Sequence, residues 1–507
     1  MSEQNPSTQN LFPLPAFENL TLTGTMDVCS GAVEYHYAGA GVTAENYEAY
    51  CAELTENGYQ LYTANEKDGC LYRTYLNRER GMMLHVTYAA FTYAKEQNVT
   101  RYQPCIRVVA APVGNAPLTE TRLLEPAAFD RKQTFASYKK ITDSRLTSMQ
   151  FNRELWHMFG SAFIITLEDG SFVVIDGGID PAYTRAYNEE TEKYDLPVSS
   201  TGDEDQLYRV LCDLYRLSHG VRPDGKEHRI RLAAWYVTHF HEDHVGNFIK
   251  FAEKYGNLID AERLIANAPS DAECVHSNDP TLRYRDKIPA ICSCFHTPMT
   301  YYPVQTGWKF YIRNVEFEVL CTHADLYPEV IYTFNDTSTV IRMSVHNTDG
   351  NGCVQGTPAT ILWLGDMQDV GSQFLRATYG ADLRSDMVQI SHHGWVGCEW
   401  SLYQLVAPRC LLWPDSYGKT TSNGVREYYR PKTYDQEWAM VDYRLVHELP
   451  SAEYILVNDK QNVTVTLTKD GPQFALDQLY NAAENDQNPV TQYGDLDTIS
   501  GILRIPH

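Results

Sequence analysis

The 507 residues exceed one ordinary domain and imply two or three, and 43% hydrophobic residues suffice for a sizeable core. With 42 basic against 65 acidic residues, the formal net charge of −23 disfavours extended contact with a nucleic-acid backbone. It fits a neutral, sugar-like or cationic small molecule more easily. Met1–Asn10 is polar and lacks the pattern of a signal peptide, and no apolar run is long enough for a bilayer. The 12 scattered cysteines, with no CxxC, read as reduced thiols of a cytoplasmic protein.

In chain order, residues 1–18 read as a leader and 19–112 as an N-terminal α+β accessory domain. Thr43 caps a helix from Ala44 to about Asn57, whose apolar side is Tyr47, Tyr50, Cys51 and Leu54. Strand patterns follow at Tyr59–Thr63, Cys70–Leu76, Met82–Tyr93 and Cys105–Ala111. This region carries no chemical motif. Residues 113–150 read as a connector, 151–468 as the catalytic domain and 469–507 as a tail with a short strand at Ile502–Ile505. In the catalytic region Ala162–Leu167 and Ser171–Ile175 flank an Asp169-Gly170 hairpin turn. Further on, strands at Arg231–Val237, Arg263–Ala266, Val315–Thr322, Thr339–Val345, Thr360–Leu364, Met387–Ile390 and Arg409–Trp413 are interleaved with helices at Val245–Tyr255 and Met367–Tyr379. Hairpins followed by such alternation predict a layered α/β domain with helices outside two sheets.

The chemistry is concentrated after the strand Leu232-Ala233-Ala234-Trp235-Tyr236-Val237. An apolar strand of this kind is buried on both faces. It runs into Thr238-His239-Phe240-His241-Glu242-Asp243-His244. His239 and His241 alternate and can turn to one ion; Asp243 and His244 begin the next turn and can reach a second. Imidazole nitrogen and carboxylate oxygen suit zinc and other borderline or hard divalent ions.

This His-x-His-x-Asp-His run after a strand resembles the metallo-beta-lactamase superfamily, and other segments between 151 and 468 agree. Asp176 follows Phe172-Val173-Val174-Ile175, His323 follows Val319-Leu320-Cys321-Thr322, Asp366 follows Leu362-Trp363-Leu364-Gly365, and His392-His393 follow Val388-Gln389-Ile390-Ser391. Together with Asn335-Asp336-Thr337-Ser338, these segments are most similar to the branch of DNA-uptake channel hydrolase domains and phosphorylcholine esterases. The resemblance implies a four-layer αββα fold binding two divalent metal ions, zinc first, with manganese or iron as alternatives. It implies that His239, His241 and His323 hold the first ion, that Asp243, His244 and His393 hold the second, that Asp366 bridges them, and that Asp176 braces the loop. His276, His296 and His346 compete with His323, and either of His392 and His393 can be the ligand. A bridging hydroxide would attack the electrophile, oriented by Asp243. The spare histidine (His392 in the preferred assignment), Glu242 or a cleft tyrosine would protonate the leaving group.

The resemblance points first to a small phosphodiester or related ester. A glycoside, lactone or amide is the alternative, and a non-catalytic metal-binding or sensor protein is the reading from another class. Basic residues beside the ions, with Arg283, Arg285, Lys287 and Lys419 as candidates, would favour phosphate; stacked tyrosines and acids would favour sugar. Loops 273–304 and 416–434 are expected to wall the cleft. They supply Tyr301, Tyr302, Tyr417 and Tyr428 as candidate substrate contacts, beside Tyr284 and Tyr429. The expected partner is a small molecule, with no nucleic acid or membrane. A homo-oligomer is left open.

Overall fold

A computed structural model describes residues 17–115, 139–149, 161–179, 187–188, 193–194, 203–275, 282–413, 444–473, 497–499 and 502–504, with gaps of a few residues within the longer stretches. Tyr417, Tyr428, Tyr429, Lys419 and His276 lie outside the described residues. Among the described residues no helix is long and apolar enough to cross a membrane.

Two nine-stranded sheets form the centre of the molecule. The main path of the first runs Thr300–Pro303, Arg263–Ala266, Ile230–Tyr236, Phe172–Asp176, Ala162–Thr166, Ser144–Ser148, Val463–Thr468 and Gly471–Gln473, with Ile259–Ala261 also beside Ile230–Tyr236. The second runs Lys309–Ile312, Val315–Cys321, Val340–Thr348, Val354–Trp363, Met387–Gln389, Cys410–Trp413, Tyr454–Val457, Ile502–Arg504 and Asp497–Ile499.

Strand alternation explains how these sheets stack. On Phe172–Asp176, Val173 and Ile175 join a core shared with Phe317, Ile341, Ile361 and Trp363 of the second sheet. Phe172 and Val174 turn the other way, into a core with Leu207, Leu211 and Leu214 of the helix Asp203–His219 and with Phe248 and Phe251 of the helix Glu242–Tyr255. A third core joins Leu320, Leu362, Val388 and Leu411 to Phe374 and Leu375 of the helix Asp369–Tyr379 and to Leu402 and Val406 of the helix Trp400–Val406. Three cores between four layers make an αββα sandwich, as expected. Each fully buried aliphatic or aromatic side chain in them contributes roughly 1.5–3 kcal/mol.

Several segments differ from the sequence reading. Ser144–Ser148 falls within the stretch expected as a connector, yet it pairs with Ala162–Thr166 on one side and Val463–Thr468 on the other. Its five residues are too short to show a strong period, and their place is set by neighbours distant in sequence. The stretch 273–304 is not one loop. It holds the helices Leu282–Arg285 and Ile288–Ser293 and the edge strand Thr300–Pro303.

The N-terminal residues form a six-stranded antiparallel sheet in the order Gly24–Asp27, Val33–Ala38, Cys105–Pro112, Met82–Ala89, Cys70–Asn77 and Gln60–Lys67. The helix Ala44–Glu56 begins at a capping box between Thr43 and Asn46 and lays Tyr47, Tyr50, Cys51 and Leu54 on one face of this sheet. The opposite face contributes Leu76, Met83, Val109 and Ala111 to the core between the two central sheets. Polar contacts cross the same seam. Trp308 Nε1 donates to Thr74 Oγ1 at 2.9 Å, and His85 Nε2 lies 3.0 Å from the Thr306 carbonyl.

Candidate metal centre

Strands of both sheets end close to one another, with Thr238 and Thr339 in contact. Phe172–Asp176 and Ile230–Tyr236 run parallel in the first sheet, while Val354–Trp363 and Met387–Gln389 run parallel in the second. Residues just beyond these strands are therefore delivered to a common place. Thr339 N donates to Thr238 O at 2.8 Å and ties the two edges together.

Asp176 ends its strand in the left-handed region, at φ 54°. Its Oδ1 accepts the Thr238 N–H at 2.8 Å, and its Oδ2 stands 2.7 Å from His244 Nδ1. One buried carboxylate thus contacts both the start of the histidine loop and one of its imidazoles. Asp366 follows Gly365, whose φ is +57° and at which a Cβ would lie 2.7 Å from Ser338 Oγ and 2.9 Å from Thr238 Cβ. Only glycine lets the chain pass this close. Ser338 Oγ then accepts the Asp366 N–H at 3.0 Å.

Among the described residues, two groups of side chains offer ligand atoms that lie within 4.8 Å of one another: His239, His241 and Asp366 in one, and Asp243, His244, Asp366 and His393 in the other. His239 Nε2 and His241 Nδ1 are 2.9 Å apart, and His244 Nε2 and His393 Nε2 are 3.2 Å apart. Asp366 Oδ1 lies 3.2 Å from His244 Nε2, and Oδ2 lies 3.8 Å from His239 Nε2 and 3.5 Å from His393 Nε2. Asp243 Oδ2 is 3.1 Å from His393 Nε2. Facing ring nitrogens with shared carboxylates form a donor set that suits a divalent cation.

The electrostatics are those of a cation site. Burial opposes charge on His244, but the carboxylates of Asp366, Asp176 and Asp243 overcome it and raise its pKa well above the imidazole range. Against the same burial, Asp366 and Asp243 lift His393 to about 10. Burial would raise Asp243 and Asp366, yet His244 and His393 hold both below the usual carboxylate range. Burial, and then the His244 charge, push His239 well below the imidazole range, leaving it neutral with a lone pair to give. Protons on two imidazoles thus offset two carboxylates, and a bound cation would replace those protons.

His392 and His393 both lie in the left-handed region, at φ 52° and 55°. That turn sends His393 into the cluster and His392 towards Asn335, with Nε2 3.2 Å from Asn335 Nδ2. Trp413 Nε1 donates to the His393 carbonyl at 3.0 Å and steadies the turn. Glu242 is half-buried at the start of the helix Glu242–Tyr255 and belongs to neither group.

His323 is not brought into either group. Its Nδ1 lies 2.5 Å from Glu273 Oε1 and its Nε2 lies 3.0 Å from Asn267 Oδ1. Both ring nitrogens face oxygen atoms of the protein, so in this position both are engaged away from the ligand groups. Its competitors are elsewhere too: His296 pairs with Asp260 at 2.8 Å, and His346 is buried on the strand Val340–Thr348. Tyr301 and Tyr302 lie on the edge strand of the first sheet, packed against the helix-side core and the inter-sheet core respectively. Tyr284 is buried in the helix-side core. Arg285 is spent on the Pro269 carbonyl, Asp271 and Asp286, and Lys287 lies over the Tyr284 ring.

The sequence reading passed over Glu273 and Asn267. Asn267 carried one usable signal, a polar residue directly after the apolar strand Arg263–Ala266 beside the histidine strand.

No family model matches the chain, and no curated protein does. Solved structures similar to it include a B3 metallo-beta-lactamase with an active-site glutamic acid, at 13% identity over 49% of this chain and 71% of that chain, with a TM-score of 0.23. A metallo-beta-lactamase HARLDQ-motif mutant from Cronobacter sakazakii is 11% identical over 62% of this chain and 90% of that one, with a TM-score of 0.24. A long-form RNase Z from yeast is 9% identical over 66% of this chain and 45% of that one, with a TM-score of 0.27. Superposition this loose leaves the chemistry to the site's own geometry.

Proposed function

We propose that this chain is a two-metal hydrolase of the metallo-beta-lactamase type, acting on a small molecule, with a phosphodiester or related ester as the first candidate. The observation that carries the reading is the pair of ligand groups sharing the buried Asp366. His239, His241 and Asp366 would hold one ion, and Asp243, His244, His393 and Asp366 the other, with zinc the best match to this nitrogen and oxygen set. Bound there, two ions would supply Lewis acidity to water and to the scissile centre. Asp243, 20% exposed at the cleft, is placed to orient the attacking water. Asp176 keeps His244 turned inward, and Ser338 keeps Asp366 in place. His392, held beside Asn335 and outside the ligand groups, is the candidate proton donor to the leaving group.

Metal analysis of the purified protein, joined to a panel of chromogenic phosphodiesters, esters, lactones and glycosides, tests the proposal. Two ions per chain and turnover of at least one substrate class are expected, with His241→Ala abolishing that turnover. Full turnover by His241→Ala would overturn the reading. Cleavage of glycosides alone would move the substrate to the sugar class.

A further inference from the structure

The cluster around His323 is built as firmly as the ligand groups, although it stands apart from them. His323, Asn267 and Glu273 are all buried. Glu273 uses Oε1 on His323 Nδ1, and its Oε2 accepts the Ser270 N–H at 2.8 Å. The Ser270 hydroxyl in turn donates to the Asp27 carbonyl at 2.6 Å, so the N-terminal sheet braces this carboxylate. Across the ring, Asn267 Nδ2 donates to the Val304 carbonyl at 2.8 Å. That bond sets the amide with its oxygen towards His323 Nε2.

The strand pairing places this cluster beside the metal centre. Ile265 lies opposite Tyr236 in a parallel pair. Two residues further along each segment come Asn267 on one and Thr238, the residue before His239, on the other.

A histidine that holds a metal is commonly anchored by a carboxylate on its other ring nitrogen. Asp176 does this for His244, and Glu273 is set to do it for His323. The two histidines differ in what faces Nε2. For His244 it is the ligand cluster; for His323 it is an amide oxygen. The group of His239, His241 and Asp366 has one side chain fewer than its neighbour. We propose that Asn267 and the first ion compete for His323 Nε2, with Glu273 as the positioning residue that holds the ring between them. This rests on the two-metal reading. Asn267 thereby sets the affinity of the first ion, because coordination by His323 costs the bond to the amide.

The test uses the full chain and zinc alone, without substrate. Zinc is titrated against graded chelator and bound metal is counted. Wild type is expected to bind two ions in separable steps. Asn267→Leu, which keeps the volume and removes the acceptor, should tighten the weaker step by about tenfold, and Glu273→Gln should weaken it by about 10–100-fold. The tighter step should stay unchanged in both. Asn267→Leu should have no effect in a His323→Gln background. Asn267→Ala repeats the measurement if the leucine variant fails to fold. Two zinc ions in wild type, with the weaker step unmoved by the Asn267 and Glu273 substitutions, would overturn the competition and leave the two-metal reading standing. Fewer than two ions in wild type would overturn that reading itself.

Discussion

His244 and His323 are built on the same plan and reach different ends. Each is buried, and each has Nδ1 against a carboxylate, Asp176 for one and Glu273 for the other. His244 comes from a loop whose start is fastened to the same Asp176, so one carboxylate contacts both the loop and the ring. His323 comes from a short turn on the second sheet, while its brace comes from a loop after the first sheet that is tied to the N-terminal segment. Its position therefore depends on three parts of the fold agreeing. The comparison teaches that two imidazoles braced alike on one nitrogen can present the other to different surroundings, a cluster of histidines and carboxylates in one case and an amide oxygen in the other.

The largest way to break this comparison is to remove the ligand both groups share. Asp366→Asn is expected to lower turnover of the best substrate on the order of 10³-fold, as loss of a principal charge-stabilising group does, and to reduce the bound metal count. Asp176→Asn removes the His244 brace and should weaken zinc binding at the tighter step by about 10–100-fold, measured by the same chelator titration. If that step were unmoved, the two histidines would not share a plan.

The His323 side has its own anchor in the N-terminal sheet. Arg107 Nη2 donates to the Asp325 carbonyl at 2.8 Å and the Tyr327 carbonyl at 3.3 Å, while its Nε lies 3.4 Å from the buried Glu34. Arg107→Met leaves those carbonyls without this donor and should cost about 1–3 kcal/mol of stability in denaturant unfolding. Ser338→Ala, which unfastens the Asp366 backbone, should cost about 1 kcal/mol by calorimetry.

A pH profile tests the comparison from the same seam. Glu318 lies on the strand that delivers His323 and pairs with Arg342 and with Lys67 of the N-terminal sheet. Burial works against it, but Arg342, Lys67 and Lys309 hold its pKa at about 2, below its ordinary 4.5. A depressed carboxylate stabilises the fold above the unfolded value, and that contribution is lost as pH falls through the folded one. Stability should therefore decline between about pH 4.5 and 2, and Glu318→Gln should flatten that part of the profile. An unchanged profile would remove Glu318 from the seam.

Much of the centre was legible in the chain. Asp176, Asp366 and His393 each follow an apolar run, and such a run is a buried strand that delivers what comes next to a sheet edge. The His239–His244 spacing named four candidate ligands without any long-range information. Ser338 was quoted within a motif, but its hold on Asp366 depends on two strands approaching through Gly365. Glu273 lies in a stretch read as one loop, and nothing local ties it to a histidine fifty residues later.

The N-terminal sheet shows the same limit. Its helix and four of its strands follow from periodicity and capping, because those depend on neighbours a few residues apart. That its far face completes the core between the central sheets was decided only when Met83 and Val109 joined the same buried cluster as Phe310 and Trp308. The sequence by itself determined which segments carry candidate metal-binding side chains to the ends of strands, since spacing and the apolar runs before them are local properties. The tertiary structure decided which nitrogens face one another: His393 in and His392 out, His244 towards Asp366 and His323 towards Asn267. Those choices are made by register, backbone turns and hydrogen bonds between segments that the chain order keeps far apart.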